Sequence, residues 1–148
     1  MNYAIVLRLL SYILLTEGAL LLLPAAASLC YGEWFVMGVT AALSAALGAL
    51  LHRIKTKSQI FYMREGFATT ALCWLLISVV GAVPFVLTGC IPNPVDALFE
   101  TVSGFTTTGA SILPGVEDLP KGILFWRSFT HWVGGMGVLV FLLSLLPL

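Results

Sequence analysis

Four long apolar stretches constrain this chain more than any other feature of its sequence. They cover residues 4–31, 34–51, 66–88 and 122–148. A helix needs about 20 mostly apolar residues to cross the hydrocarbon core of a bilayer. The chain is 59% hydrophobic and 9% charged, with a mean hydropathy of +1.03, whereas charged residues make up roughly a quarter of a soluble domain. We therefore expect an all-α integral membrane protein.

Charge balance and cysteine spacing exclude several other classes of protein. Seven Lys and Arg residues balance seven Asp and Glu residues, so the chain lacks the basic surface that nucleic acid requires. Cys30, Cys73 and Cys90 form no CxxC pair. This spacing favours small, buried, free thiols over a disulfide framework or a zinc site.

One basic cluster predicts the orientation of the chain in the membrane. Arg53, Lys55, Lys57 and Arg64 lie between the second and third apolar stretches. Short loops rich in Lys and Arg stay on the cytoplasmic side of a membrane. Residues 53–65 are therefore expected to form a basic cytoplasmic loop.

The rest of the topology follows from that loop. Residues 1–52 would form an N-terminal transmembrane hairpin, with the N-terminus in the cytoplasm and Glu33 outside. The segment 89–121 would then lie outside or dip into the membrane from outside. Glu117 and Asp118 lie in this segment and agree with its placement.

The first apolar stretch permits two interpretations. Arg8, the apolar run and the small residues 25–28 resemble a signal peptide with a cleavage site, but Glu17 interrupts that run and argues against cleavage. In a retained span, Glu17 is an ionisable group at membrane depth, where such groups often mark functional sites. A hydrogen bond between helices is the commoner explanation, and the sequence leaves the role of Glu17 open.

A helix too short to span the membrane is predicted over residues 94–104. Asn93 is a favourable N-cap, Pro94 suits the first helical position, and Asp96 complements the positive end of the helix dipole. At 1.5 Å per residue this helix reaches about 15 Å, half of the hydrocarbon thickness. Its C-terminal end, which carries partial negative charge, would favour a cation near the middle of the membrane.

The residues after this short helix are rich in hydroxyl groups and glycine. Residues 105–111 read Phe-Thr-Thr-Thr-Gly-Ala-Ser. Irregular backbone persists at membrane depth only where protein buries it or where it lines a polar pathway. Neutral carbonyl groups can replace the hydration shell of a monovalent cation, and the lack of clustered carboxylates disfavours divalent ions. Potassium is the first choice and sodium the second, although a Thr/Gly turn that merely connects two spans fits equally well.

Polar and small residues share one face of the last apolar stretch. Arg127, Thr130, His131 and Gly134 follow the i, i+3, i+4, i+7 spacing of a helix. Small residues such as Gly134 and Gly135 let a loop or helix approach closely. His131 is expected to be a hydrogen-bonded packing residue.

Arg127 lies near the predicted outer end of this stretch and needs an acidic partner. Glu100, Glu117 and Asp118 are the candidates, and Glu100 is the most informative because it lies inside the predicted short helix. An ion pair that supports the loop is favoured over direct contact with an ion.

Several short motifs follow one another along the chain. They are Arg64-Glu65-Gly66-Phe67, Gly81-Ala82-Val83-Pro84-Phe85, residues 97–110 from Ala97 to Ala110, Arg127-Ser128, Trp132 and Gly134-Gly135-Met136-Gly137. In this order they resemble the Trk/Ktr/HKT superfamily of potassium transporters, and most closely its bacterial Trk-type membrane subunit. The resemblance covers nearly the whole chain.

The resemblance implies a fold in which the N-terminal two-helix hairpin precedes one pore unit of the potassium-channel type, residues 66–148. This unit would comprise a span (66–88), a pore helix (94–104), a filter loop (105–111) and a second span (122–148). The resemblance further implies potassium at the carbonyl groups of Thr107, Thr108 and Gly109, with Ala110 as the fourth filter carbonyl. The residues that would support the filter are Thr106, Ser111, Glu100, Arg127, Gly134 and Gly135.

Members of this superfamily carry four such units in one chain, whereas this chain would supply one. It would be a fragment of a longer protein, which we favour, or it would assemble as identical copies. The implied partners are the remaining pore units, membrane lipid and a cytoplasmic nucleotide-binding regulatory subunit. The implied setting is the bacterial inner membrane, with potassium as substrate and no cofactor.

The sequence leaves two other functions open. The first is a non-conducting membrane scaffold. The second is an intramembrane hydrolase that pairs Ser103 or Ser111 with His131, which is disfavoured because no GxSxG motif is present. We therefore expect a transporter rather than an enzyme, and the sequence leaves open whether transport is channel-like or coupled to another ion.

Overall fold

The computed structural model describes residues 3–31, 34–54, 63–117 and 119–145. Within these ranges the chain forms helices and no strands. The helices are α1 (Tyr3–Leu20), α2 (Leu22–Leu29), α3 (Trp34–His52), α4 (Met63–Leu87), α5 (Pro94–Phe105) and α6 (Lys121–Leu145). The expected all-α membrane architecture is confirmed, because three segments among the described residues are long and apolar enough to cross a membrane. They are Tyr3–Leu29, Trp34–His52 and Arg64–Leu87.

Some residues that entered the sequence predictions lie outside the described ranges. They are Glu33, Lys55, Lys57, Asp118 and residues 146–148. α6 has 25 residues, which corresponds to about 37 Å of helix. The fourth span, predicted over residues 122–148, stays a prediction.

α1 and α2 form one apolar segment, Tyr3–Leu29, which is interrupted at Leu21. The Leu21 N–H donates to the Glu17 carbonyl oxygen at 2.8 Å, and the Ala25 N–H donates to the Leu21 carbonyl oxygen at 3.1 Å. Helical hydrogen bonds therefore continue on both sides. Pro24 has no N–H to offer the Leu20 carbonyl group, and its ring crowds the preceding turn. The sequence prediction of a first span over residues 4–31 did not anticipate this interruption.

α1 and α3 pack closely along small residues. A Cβ atom added to Gly18 would lie 3.1 Å from the backbone nitrogen of Ala45, and Gly48 is similarly close to the backbone of α1. Ser44 Oγ donates a hydrogen bond across the interface to the Leu14 carbonyl oxygen at 2.8 Å. Glycine thus allows the two backbones to approach, as is usual between membrane helices.

α4, α5 and α6 share an aromatic core. The rings of Phe105 and Trp126 meet edge to face with centroids 6.2 Å apart, and Trp126 is 2% exposed. Trp126 Nε1 donates to the Gly81 carbonyl oxygen at 2.9 Å. These contacts fix the C-terminal end of α5 between the two long helices.

Candidate functional site

α5 begins where capping chemistry predicts. Asn93 has extended backbone angles, φ −80° and ψ 119°, and its Oδ1 accepts a hydrogen bond from the Val95 N–H at 3.1 Å. Asp96 lies in the first turn, where it complements the helix dipole. The helix has 12 residues and ends at Phe105, one residue beyond the predicted end, so it is about 18 Å long.

The backbone after α5 alternates in handedness. Thr106 is right-handed with φ −81°, whereas Thr107 has φ 57° and Gly109 has φ 76°. Thr108, between them, is not left-handed. The left-handed conformation costs roughly 1–2 kcal/mol for an L-residue other than glycine. Thr107 therefore needs support from its neighbours.

Ser103, in the last turn of α5, provides that support. Its carbonyl oxygen accepts hydrogen bonds from the N–H groups of Thr108 at 3.0 Å and Gly109 at 3.4 Å. Its hydroxyl group donates to the Ala110 carbonyl oxygen at 2.6 Å. The sequence predictions named Ser103 only as a hydrolase nucleophile and missed this role. The position of this serine, one turn before a loop that contains glycine, was the feature of the sequence that could have indicated this role.

Threonine hydroxyl groups add a second set of contacts. Thr106 Oγ1 donates to the Val102 carbonyl oxygen at 2.7 Å and lies 2.8 Å from Thr108 Oγ1. The segment from Thr106 to Ser111 is exposed, and no described atom lies within 4 Å of a Cβ added to Gly109. The loop is thus anchored on its α5 side and open on the other.

A buried carboxyl group joins the loop to both neighbouring helices. Glu100 is 3% exposed. Its oxygens accept hydrogen bonds from Ser111 Oγ at 3.0 Å, from the Ile112 N–H at 3.2 Å and from Arg127 Nε at 2.7 Å. A charged hydrogen bond of this kind is stronger than a neutral one. Glu100 therefore ties α5, the returning segment and α6 together.

The structure brings Arg127 to Glu100 rather than to its other described candidate partner, Glu117, which is exposed. His131 Nδ1 lies 2.9 Å from the Arg127 carbonyl oxygen. The hydroxyl groups of Ser103 and Ser111 donate to the loop and to Glu100. The geometry of a serine–histidine pair is therefore not formed.

Gly134 lies directly against the end of α5. A Cβ atom at this position would collide with the Phe105 carbonyl oxygen and would lie 2.8 Å from the Phe105 Cα atom. The neighbouring Gly135 has more room, because the nearest atom to its added Cβ is Thr107 Cγ2 at 3.8 Å. Gly134 is the residue that the close approach requires.

The loop offers neutral carbonyl and hydroxyl oxygens rather than free carboxylate groups. Among the described residues, no group of three or more His, Cys, Asp or Glu side chains could hold a metal ion. The Glu100 oxygens are already bonded within the scaffold. Any cation at this loop would be bound by backbone carbonyl and hydroxyl oxygens.

Comparison with known proteins adds relatives that match nine tenths or more of this chain. The chain is 34% identical over 151 residues to the Trk system potassium uptake protein TrkH of Halomonas elongata, which covers 99% of this chain and 31% of the relative. It is 35% identical over 156 residues to the protein of the same name from Escherichia coli K12, which covers 100% of this chain and 32% of the relative. An uncharacterized cation transporter of Methanocaldococcus jannaschii is 37% identical over 136 residues. This alignment covers 91% of this chain and 29% of the relative. The chain thus spans about a third of the length of these relatives.

The sequence profile of the TrkH family, described as cation transport protein, matches residues 35–148. This range includes α3 from its second residue, α4 to α6, the loop after α5 and the Glu100–Arg127 pair. The relatives are transport proteins and not enzymes. The resemblance seen in the sequence is therefore confirmed: the chain belongs to the TrkH family of cation transport proteins.

Proposed function

We propose that this chain contributes one filter-forming unit to a potassium uptake protein. α4 and α6 are the two spans of the unit, α5 is its pore helix, and the loop after α5 is its filter. The relatives named as potassium uptake proteins support the choice of potassium. The neutral oxygens of the loop support a monovalent cation over a divalent one.

One observation carries this proposal: two consecutive N–H groups, of Thr108 and Gly109, both donate to the Ser103 carbonyl oxygen. In a planar trans peptide the N–H and the preceding carbonyl group point in opposite directions. The carbonyl groups of Thr107 and Thr108 therefore both point away from α5, toward the open side of the loop. Alternating handedness is the backbone pattern that aligns successive peptide groups in this way.

We assign the filter oxygens to Thr107, Thr108 and Gly109. Ala110 was expected to supply a fourth, but its carbonyl oxygen accepts the Ser103 hydroxyl, and we propose it as the anchor of the loop. The C-terminal end of α5 carries partial negative charge and lies beside these oxygens. It adds a favourable field for a cation.

A filter needs carbonyl groups on more than one side of the ion. We propose that further units face this one, supplied by the same longer chain or by identical copies. Membrane lipid and a cytoplasmic nucleotide-binding regulatory subunit complete the proposed partners, and no cofactor besides the transported ion is proposed. The basic cluster at residues 53–64 supports a cytoplasmic N-terminus in the inner membrane.

Gly109→Ala tests the filter assignment. Alanine at φ 76° costs roughly 1–2 kcal/mol in the left-handed conformation, enough to deplete the filter conformation about tenfold. The measurement is rubidium uptake by cells that express the assembled transporter containing this chain. We expect uptake to fall by about that factor.

Gly115→Ala is the matched control. Gly115 also has no described atom within 4 Å of an added Cβ, but its φ is not positive. We expect its uptake to equal that of the unaltered protein. Equal uptake by the two variants, at equal amounts in the membrane, would mean that the loop is a connecting turn in a scaffold and that the filter proposal is wrong.

A further inference from the structure

A second buried carboxyl group lies in the hairpin, remote from the loop after α5. Glu17 of α1 is 6% exposed, and neither of its oxygens has a hydrogen-bond partner among the described residues. It lies within the 27-residue apolar segment Tyr3–Leu29. An unpaired charge at such a position is strongly unfavourable. The Glu17 carboxyl group therefore needs a partner or a bound proton, and this need is separate from the loop after α5.

Glu17 lies at the junction of three helices. Ser44 of α3 bonds to the Leu14 carbonyl oxygen, one helical turn before Glu17. Cys73 of α4 lines a cavity together with Ile13, which also lies one turn before Glu17. The adjacent Gly18 packs against Ala41 and Ala45. The carboxyl group is therefore enclosed by α1, α3 and α4.

Most of the other described titratable groups of the surrounding helices lie near helix ends. His52, at the end of α3, contacts Ser11 and Tyr12, which lie in the middle of α1. Arg8 precedes Glu17 on α1 by about 13 Å of helix. The remaining ones are Arg64 and Glu65 in the first turn of α4, Cys90 after α4, Arg53 after α3, Cys30 and Tyr31 after α2, and Tyr3 at the start of α1. Cys73, which lines a cavity together with Ile13, is the titratable side chain of α4 nearest to the level of Glu17.

The hydrogen bond of Ser44 decides which form of Glu17 fits. Its hydroxyl hydrogen is directed to the Leu14 carbonyl oxygen at 2.8 Å, so its oxygen is left as an acceptor. A carboxylate needs a donor and finds none there. The structure holds no hydrogen bond between Glu17 and Ser44, but a protonated Glu17 would donate to Ser44 Oγ once its side chain rotates. The chain Glu17 to Ser44 to Leu14 would then be satisfied throughout.

We propose that Glu17 is a proton-binding site at the α1–α3–α4 junction. The proton, delivered by hydronium, forms an O–H bond with one carboxylate oxygen, and one water molecule is left behind. A metal cation fits less well, because it needs several oxygens and no cluster of three or more acidic, His or Cys ligands exists among the described residues. The proposal does not depend on the loop being a filter.

Infrared spectroscopy of the intact protein that carries this chain, in lipid bilayers at neutral pH, tests the proposal. We expect the carbonyl band of a protonated carboxylic acid, and we expect Glu17→Gln to abolish it. Glu117→Gln, at an exposed position, should leave the band unchanged. Ser44→Ala should shift it to higher frequency, because the acid loses its acceptor.

Two outcomes would overturn the proposal. Identical spectra for the unaltered protein and Glu17→Gln, in preparations that both retain their helical signal, would mean that Glu17 is ionised. A band that arises only after sodium and potassium are replaced by choline would mean that a metal cation occupies the site. Both infrared measurements are independent of transport. They would therefore still test the proton site if the filter proposal failed.

Discussion

Glu100 and Glu17 are both buried, but the two regions of the molecule differ in the hydrogen-bond donors that surround each carboxyl group. Glu100, between α5 and α6, accepts hydrogen bonds from Arg127, Ser111 and the backbone of Ile112. Glu17, in the hairpin, has no hydrogen-bond partner among the described residues. Burial alone therefore does not reveal what a carboxyl group does, because the donors around it decide which form is stable.

The contrast follows the regularity of the backbone. α1 and α3 satisfy their own N–H and carbonyl groups and pack through small residues, so a charged anchor is unnecessary there. The loop after α5 has lost its helical hydrogen bonds, and its left-handed residues are held by Ser103 and by Glu100 through Ser111. Irregular backbone needs a charged scaffold, and regular helix does not.

Glu100→Gln should have the largest effect on stability. The change leaves Arg127, which is 21% exposed, without its charged partner, and breaking a buried ion pair costs about 3–5 kcal/mol. Because Arg127 reaches water in part, we expect the lower end of that range. Denaturant unfolding in detergent measures the loss of unfolding free energy. A loss no larger than that of Glu117→Gln, an exposed control, would contradict the scaffold role.

Gly134→Ala should have the next largest effect, because its Cβ collides with the backbone of Phe105. Overpacking of this kind costs about 1–3 kcal/mol and would displace the end of α5. We expect both a lower unfolding temperature and reduced rubidium uptake. Gly135→Ala is the control, since its Cβ would have 3.8 Å of room. Equal behaviour of the two variants would show that α6 does not hold the loop in place.

Glu17→Gln should have the smallest effect on stability, within about 1 kcal/mol, because the neutral amide can donate to Ser44 as the protonated acid would. Thermal unfolding of this variant beside Glu100→Gln compares the two carboxyl groups directly. A loss as large as that of Glu100→Gln would show that the hairpin also depends on a buried negative charge, and the contrast between the two regions would fail.

The parts of the structure that depend on local chemistry could be predicted from the sequence. Asn93, Pro94 and Asp96 predict the start of α5 because capping involves only neighbouring residues. The Glu100–Arg127 pair was among the predicted candidates because a basic residue near the outer end of a span needs a partner. These inferences required no knowledge of how the loop after α5 folds back onto that helix.

The parts that depend on how the loop folds back onto α5, and on how α6 packs against both, could not be predicted. Ser103 bonds to Ala110 only because the loop folds back onto the last turn of α5, a geometry that no spacing rule gives. The steric role of Gly134 requires the register of α6 against Phe105. The interruption at Leu21 was missed because the apolar run continues through Pro24, whose missing N–H acts only locally.

We propose above all that the carbonyl groups of Thr107 and Thr108 bind a monovalent cation. Anomalous scattering from crystals of the assembled protein grown in rubidium tests it most directly. We expect an anomalous peak at coordination distance from these two carbonyl oxygens, and its loss in Gly109→Ala crystals. A transport-competent protein whose rubidium peaks lie elsewhere in the membrane, with none beside this loop, would contradict it.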